Sequence, residues 1–164
     1  MNPPVSVRPA TPDDLSAILD VVQVFIAETT YDVAYEPTVA WDFLWRTIAA
    51  PTSDILVAEM AGENEESEIT GGEIIGGAIV FASHEFQVRP FCYVGKFFVA
   101  PAGRRTPAAR LVLDAIAAWA RDQGCSHVFS TATAGLDVRE QRLFVNLMKR
   151  AGYGDAGPVL CRTL

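Results

Sequence analysis

Residues 98–116, FVAPAGRRTPAARLVLDAI, join an aromatic-rich strand to an apolar helix through a short turn. The helix beyond the turn, PAARLVLDAIAAWARDQG (107–124), is apolar on several sides. Pro107 suits a first helical position, where a missing N–H costs nothing. Arg104, Arg105 and Arg110 crowd this helix start, where the aligned peptide dipoles are already electropositive. Arginines there repel the dipole unless an anion is present, and the free first-turn amides are themselves phosphate donors. A solvated basic helix start is the plainer reading of the same cluster.

Upstream, VSVRPA (5–10) alternates as a strand, and Thr11, Pro12, Asp13 and Asp14 are start signals for a helix over about 12–28. A polar, aromatic loop, ETTYDVAYEP (28–37), leads to a second helix opened by Pro37 and stopped by Pro51. DILVAEM (54–60) is a strand and AGENEESEITGG (61–72) an acidic turn. EIIGGAIVFASHEF (73–86) and RPFCYVGKFFVA (89–100) then form an antiparallel pair. Downstream come a helix ended by Gly124, a strand (126–133), a helix from about 137 ended by Gly152, and a last strand, GPVLCRTL (157–164). This order predicts an α/β (α+β) fold, with a mixed, mostly antiparallel sheet of six or seven strands covered on both faces by four helices. The length of 164 residues suits one domain spanning 1–164.

The net charge of −7 is unevenly divided. Residues 1–88 hold 15 acids and 2 arginines, and residues 89–164 hold 5 acids and 11 lysines and arginines. The basic half suits an anion and the acidic half a cation such as an amine, unless both are merely solvated faces. The acidity argues against nucleic acid. The chain has neither a membrane-length apolar run nor a signal-peptide pattern, so a soluble cytoplasmic protein is expected. Cys92, Cys125 and Cys161 read as buried thiols, and with His84 and His127 they make no ligand-spaced cluster, so no metal is expected.

VAPAGRRTPAARL (99–111) resembles the coenzyme-A-binding signature of the GNAT superfamily of N-acetyltransferases. VRPATPDDLSAILDV and LMKRAGY (147–153) resemble that family's opening and last helix, and the element order agrees across nearly the whole chain. The resemblance implies a splayed central sheet. It implies that Arg104 opens a pyrophosphate loop, with the N–H groups of Arg105, Thr106, Ala108, Ala109 and Arg110 around the phosphates. Pro107 takes the place of the motif's first glycine and brings no donor. Phe97, Phe98 and Val99 would present strand backbone to the pantetheine arm, with the thioester in the gap beside Ser130–Thr133.

The implied reaction is acetyl transfer from acetyl-CoA to the amine of a small molecule or peptide by direct attack, aided by proximity and backbone N–H polarisation of the thioester. Two positions depart from the family. Met148 stands where a tyrosine commonly protonates the leaving thiolate, and Gly95 and Lys96 stand where a glutamate base is common. Glu28, Tyr31, Asp32, Tyr35 and Glu36, on the loop that overhangs the acceptor in this family, are candidates for binding the cation or passing its proton to water. Tyr93, Ser130, Thr131 and Thr133 are candidates to replace the missing acid. The alternative is an acyl-CoA-binding sensor or interaction module of the same fold, without chemistry. Analogy with such folds allows a homodimer.

Overall fold

The computed structural model describes residues 4–29, 35–62, 72–85, 88–131 and 138–154. The chain runs β1 (Val5–Pro9), a 3₁₀ turn (Pro12–Asp14), α1 (Leu15–Glu28), α2 (Pro37–Ala49), β2 (Ser53–Met60), β3 (Glu73–Ser83) and β4 (Phe91–Val99). A second 3₁₀ turn (Pro101–Arg105), α3 (Ala108–Asp122), β5 (Val128–Ser130) and α4 (Val138–Arg150) follow. The strands lie in chain order across one sheet. Successive pairs are antiparallel except β4 with β5, which run parallel because α3 carries the chain back between them. The mixed, mostly antiparallel sheet and four helices agree with the sequence reading. The strand count is five among the described residues rather than six or seven, and the last expected strand, 157–164, lies outside them.

Strand alternation divides the core in two. Leu56 and Ala58 of β2 face α3 and α4, whereas Ile55 and Val57 face α1 and α2. Phe98, 2% exposed, belongs to the α1 and α2 side with Leu15, Ile18 and Leu44. Val112, Leu113 and Ile116 of α3 fill the other. Burial of each such side chain contributes about 1.5–3 kcal/mol before conformational entropy is counted.

Two bulges interrupt the alternation. Ala58 faces Gly76 while Glu59 faces Ile74, so Ile75 is the extra residue of β3. Ile79 faces Lys96 while Val80 faces Val94, so Gly95 is the extra residue of β4. A Cβ at Gly95 would come within 2.7 Å of the Phe81 ring, which explains the glycine.

The stop signals operate as expected. Gly124 (φ +71°) and Gly152 (φ +91°) turn the chain left-handed after α3 and α4. The amides of Cys125 and Tyr153 reach back to the carbonyls of Ala120 and Met148 at 2.8 and 3.1 Å. At the N-terminal end, Arg8 of β1 binds both Asp14 (2.7 Å) and Glu59 of β2 (2.8 Å), tying the first turn to the sheet edge. The guanidinium of Arg8 holds the Asp14 carboxyl well below the usual carboxylate range.

Candidate active site

The turn that precedes α3 is docked on the sheet. The Ala100 N–H donates to the Ile75 carbonyl at 2.9 Å, and Gly103 is buried against the same oxygen, where a Cβ would approach to 2.6 Å. The 3₁₀ turn carries Arg104 and Arg105, so these two arginines precede the helix rather than begin it. Pro107 is the residue ahead of α3, at φ −73°, and its carbonyl accepts the first helical bond, from the Leu111 N–H at 3.0 Å. The amides of Ala108, Ala109 and Arg110 therefore lie ahead of the helical ladder. Thr106 Oγ1 accepts from the Ala108 N–H at 3.2 Å, and the Thr106 N–H donates to the Gly103 carbonyl at 3.1 Å. What this corner offers an anion is thus the amides of Ala109 and Arg110 together with the guanidinium groups of the turn.

The three arginines have different surroundings. Arg104 reaches across to α1 and pairs with Glu28, both half exposed. Arg110 binds Asp114 one turn along α3 and donates to the Arg150 carbonyl at the end of α4 (3.1 Å), so its side chain joins two helices. Arg105 is exposed. Arg104 and Arg105 are therefore the exposed guanidinium groups of the turn, with Arg104 already engaged by Glu28.

Beside this corner the sheet opens. β5 pairs with β4 only from Cys92↔Val128 to Val94↔Ser130, which leaves Gly95–Val99, including Phe97, Phe98 and Val99, without a β5 partner among the described residues. A strand edge of this kind can accept an extended amide-bearing chain as an added strand. A cavity of about 280 Å³ lies at the divergence. Its floor is the bulge, Gly95 with Lys96, and one wall is the end of β5, Ser130 and Thr131. Val22, Phe25 and Ile26 of α1 and Phe43 of α2 form the opposite wall, and Phe144 of α4 reaches in from the far face, 5.2 Å from the Phe97 ring.

The described loop candidates, Glu28, Tyr35 and Glu36, are not among the residues lining this cavity. Glu28 is held by Arg104, and Glu36 caps α2, accepting from the Thr38 hydroxyl at 2.8 Å and the Thr38 N–H at 3.2 Å. Burial and the charge of Asp20 raise the Tyr35 hydroxyl. Tyr31, Asp32 and Thr133 lie outside the described residues. Tyr93 is exposed, opposite Phe81 in the sheet register, and is not part of the cavity lining. Met148 is buried in the α3 and α4 core. Cys92 and Cys125 are free and buried, and burial pushes the Cys92 thiol up to about 12, so it is no nucleophile at neutral pH. Cys161 lies outside the described residues.

Sequence reasoning missed the aromatic lining. Phe25, Phe43 and Phe144 look like ordinary amphipathic-helix residues, and only the meeting of three elements makes them one wall. The detectable signal was the aromatic density of WDFLW (41–45), more than one buried helix face can use: Val39, Trp41 and Trp45 are exposed along with Phe43.

The family model of the acetyltransferase (GNAT) family matches residues 22–147, well over half of the chain. The chain belongs to the GNAT acetyltransferase family. Solved structures agree with this GNAT fold. The aminoglycoside N-acetyltransferase AAC(6')-Iy in complex with CoA superposes with a TM-score of 0.74 at 15% identity, over 100% of this chain and 97% of that one. A putative acetyltransferase from Agrobacterium tumefaciens gives 0.70 at 20% identity, over 96% and 99%. An acetyltransferase from Trypanosoma brucei gives 0.70 at 14%, over 98% and 100%. No curated protein matches the sequence. In this GNAT chain, no helix of the described residues is long and apolar enough to cross a membrane.

Proposed function

We propose that the chain is an N-acetyltransferase that uses acetyl-CoA to acetylate the amine of a small molecule or peptide. The observation that carries this reading is the coincidence, in a GNAT chain, of three features on and beside β4. These are the basic turn before α3, the β4 edge that has lost its β5 partner, and the cavity at the bulge. Arg104, Arg105 and the first amides of α3 would hold the pyrophosphate, and the backbone of Phe97, Phe98 and Val99 the pantetheine arm. Acetyl-CoA supplies an acetyl group activated as a thioester.

The acceptor amine attacks in its neutral form. Its nitrogen bonds to the acetyl carbon as the carbon–sulfur bond breaks, and the displaced thiolate takes up a proton. Gly95 is the extra residue of the β4 bulge, and in this reading a backbone N–H at the bulge polarises the reacting carbonyl. Ser130 and Thr131 border the cavity, and in this reading a hydroxyl there relays a proton from water to the departing thiolate. The amine proton passes to water.

A second reading, an acyl-CoA-binding module without chemistry, is favoured by one observation. Met148 is packed into the core where family members commonly carry the tyrosine acid. Incubation with acetyl-CoA and a panel of amines, followed by thiol release, separates the two. Release with any amine establishes the transferase, and a rise in melting temperature on acetyl-CoA without release establishes the module.

A further inference from the structure

We infer that the acceptor is an α-amino acid with an apolar or aromatic side chain, and that Lys96 selects it by binding its carboxylate; the inference rests on the transferase reading above. Lys96 is the charged side chain among the described residues that line the cavity. It lies on β4 opposite Ile79, on the sheet face toward α1 and α2. It is exposed, and none of the ion pairs among the described residues includes it.

The remaining walls are apolar. Val22, Phe25, Ile26 and Phe43 form the side away from the strand edge, with Thr29 the hydroxyl-bearing residue there. Glu28 and Glu36, the described acids of the nearby loop and helix ends, are held by Arg104 and by the start of α2. A polycation in this cavity would meet a lysine and no carboxylate among the described residues, an unfavourable meeting of like charges. A molecule with an apolar body, an amine and an adjacent carboxylate is complementary to it on each count. The volume of about 280 Å³ lies at the low end for ligand pockets, which also suits a single small acceptor. A like charge nearby disfavours the ammonium form, so Lys96 also helps to present the neutral amine that the attack requires.

The test compares matched acceptors with the full chain and acetyl-CoA, reading thiol release. Leucine and phenylalanine are set against isopentylamine and phenethylamine, which lack only the carboxylate, and against spermidine and kanamycin as polycations. The amino acids are expected to exceed their decarboxylated partners in kcat/KM by ~10–100-fold, the range for a hydrogen bond between charged groups. Lys96→Met is expected to shrink that ratio at least tenfold, mainly through KM, and Lys96→Glu to reverse it. Equal losses for amino acid and amine in Lys96→Met, or preference for the polycations, overturns the inference and leaves the transferase standing. Acetyl-CoA binding with no release from any amine overturns the transferase, and the inference with it.

Discussion

Arg104 and Glu28 show how one pair can carry two readings. Each was a candidate from the sequence, one for the cofactor and one for the acceptor, and the fold joins them across the groove between α1 and the basic turn. The pair is half exposed, so its worth is about 0.2–1 kcal/mol. A phosphate displacing Glu28 must overcome that amount. Arg104→Ala is therefore expected to weaken acetyl-CoA binding ~10–100-fold, the range for a charge-assisted hydrogen bond. Glu28→Gln is expected to strengthen it by about two- to fivefold. Calorimetric titration checks both, and unchanged affinity in Arg104→Ala would remove this residue from the pyrophosphate site. Nothing in the sequence pairs positions 28 and 104, because a contact over such a separation depends on how α1 crosses the sheet.

At the scale of elements, the position of the basic turn is decided by β3. The Ile75 carbonyl receives the Ala100 N–H and lies against Gly103, so the turn has room for hydrogen and not for a methyl group. Gly103→Ala is expected to destabilise the protein by about 1–3 kcal/mol, read as a lower melting temperature, and to weaken acetyl-CoA binding because the arginines follow the turn. A melting temperature equal to that of the unaltered protein would mean that the turn is not docked in this way. The helices were legible with few errors of extent, since Pro12, Pro37, Gly124 and Gly152 are local punctuation and act locally. The bulges at Ile75 and Gly95 were not legible. A run such as VGKFFV reads as continuous strand, and which residue drops out of the ladder is set by the partner strand.

The whole molecule divides its charge, and the fold gives that division a partial use. The basic half reaches the groove through Arg104 and Arg105, whereas Glu28, Glu36 and Asp14 of the acidic half are engaged in ion pairs and caps. The Arg8–Asp14 pair predicts how the folded state responds to acid. Asp14 binds its proton more weakly when folded than when unfolded. Its stabilisation is thus complete above the ordinary carboxylate range and is lost as the pH falls below it. Urea unfolding is expected to show a falling midpoint below about pH 4, a loss that Asp14→Asn should flatten. At the same scale, acetyl-CoA at a hundredfold excess over its Kd should stabilise the folded chain by about 2.7 kcal/mol, some 5–10 °C in melting temperature for a chain of this size.

The order of strands and helices, the basic turn and the Met148 and Lys96 departures were determined by the sequence alone, because they rest on local propensity, periodicity and residue identity. The end of β4–β5 pairing at Val94, the cavity there and the partner of each charged side chain were decided only by the tertiary structure. Those features depend on which distant residues come within a few ångströms of one another, and no periodicity along the chain encodes that. The FVAPAGRRTPAARLVLDAI stretch belongs to both classes. Its residues carry the basic cluster that the proposed anion site needs, and the carbonyl of Ile75 and the carboxylate of Glu28 decide where the turn docks and what Arg104 is paired with.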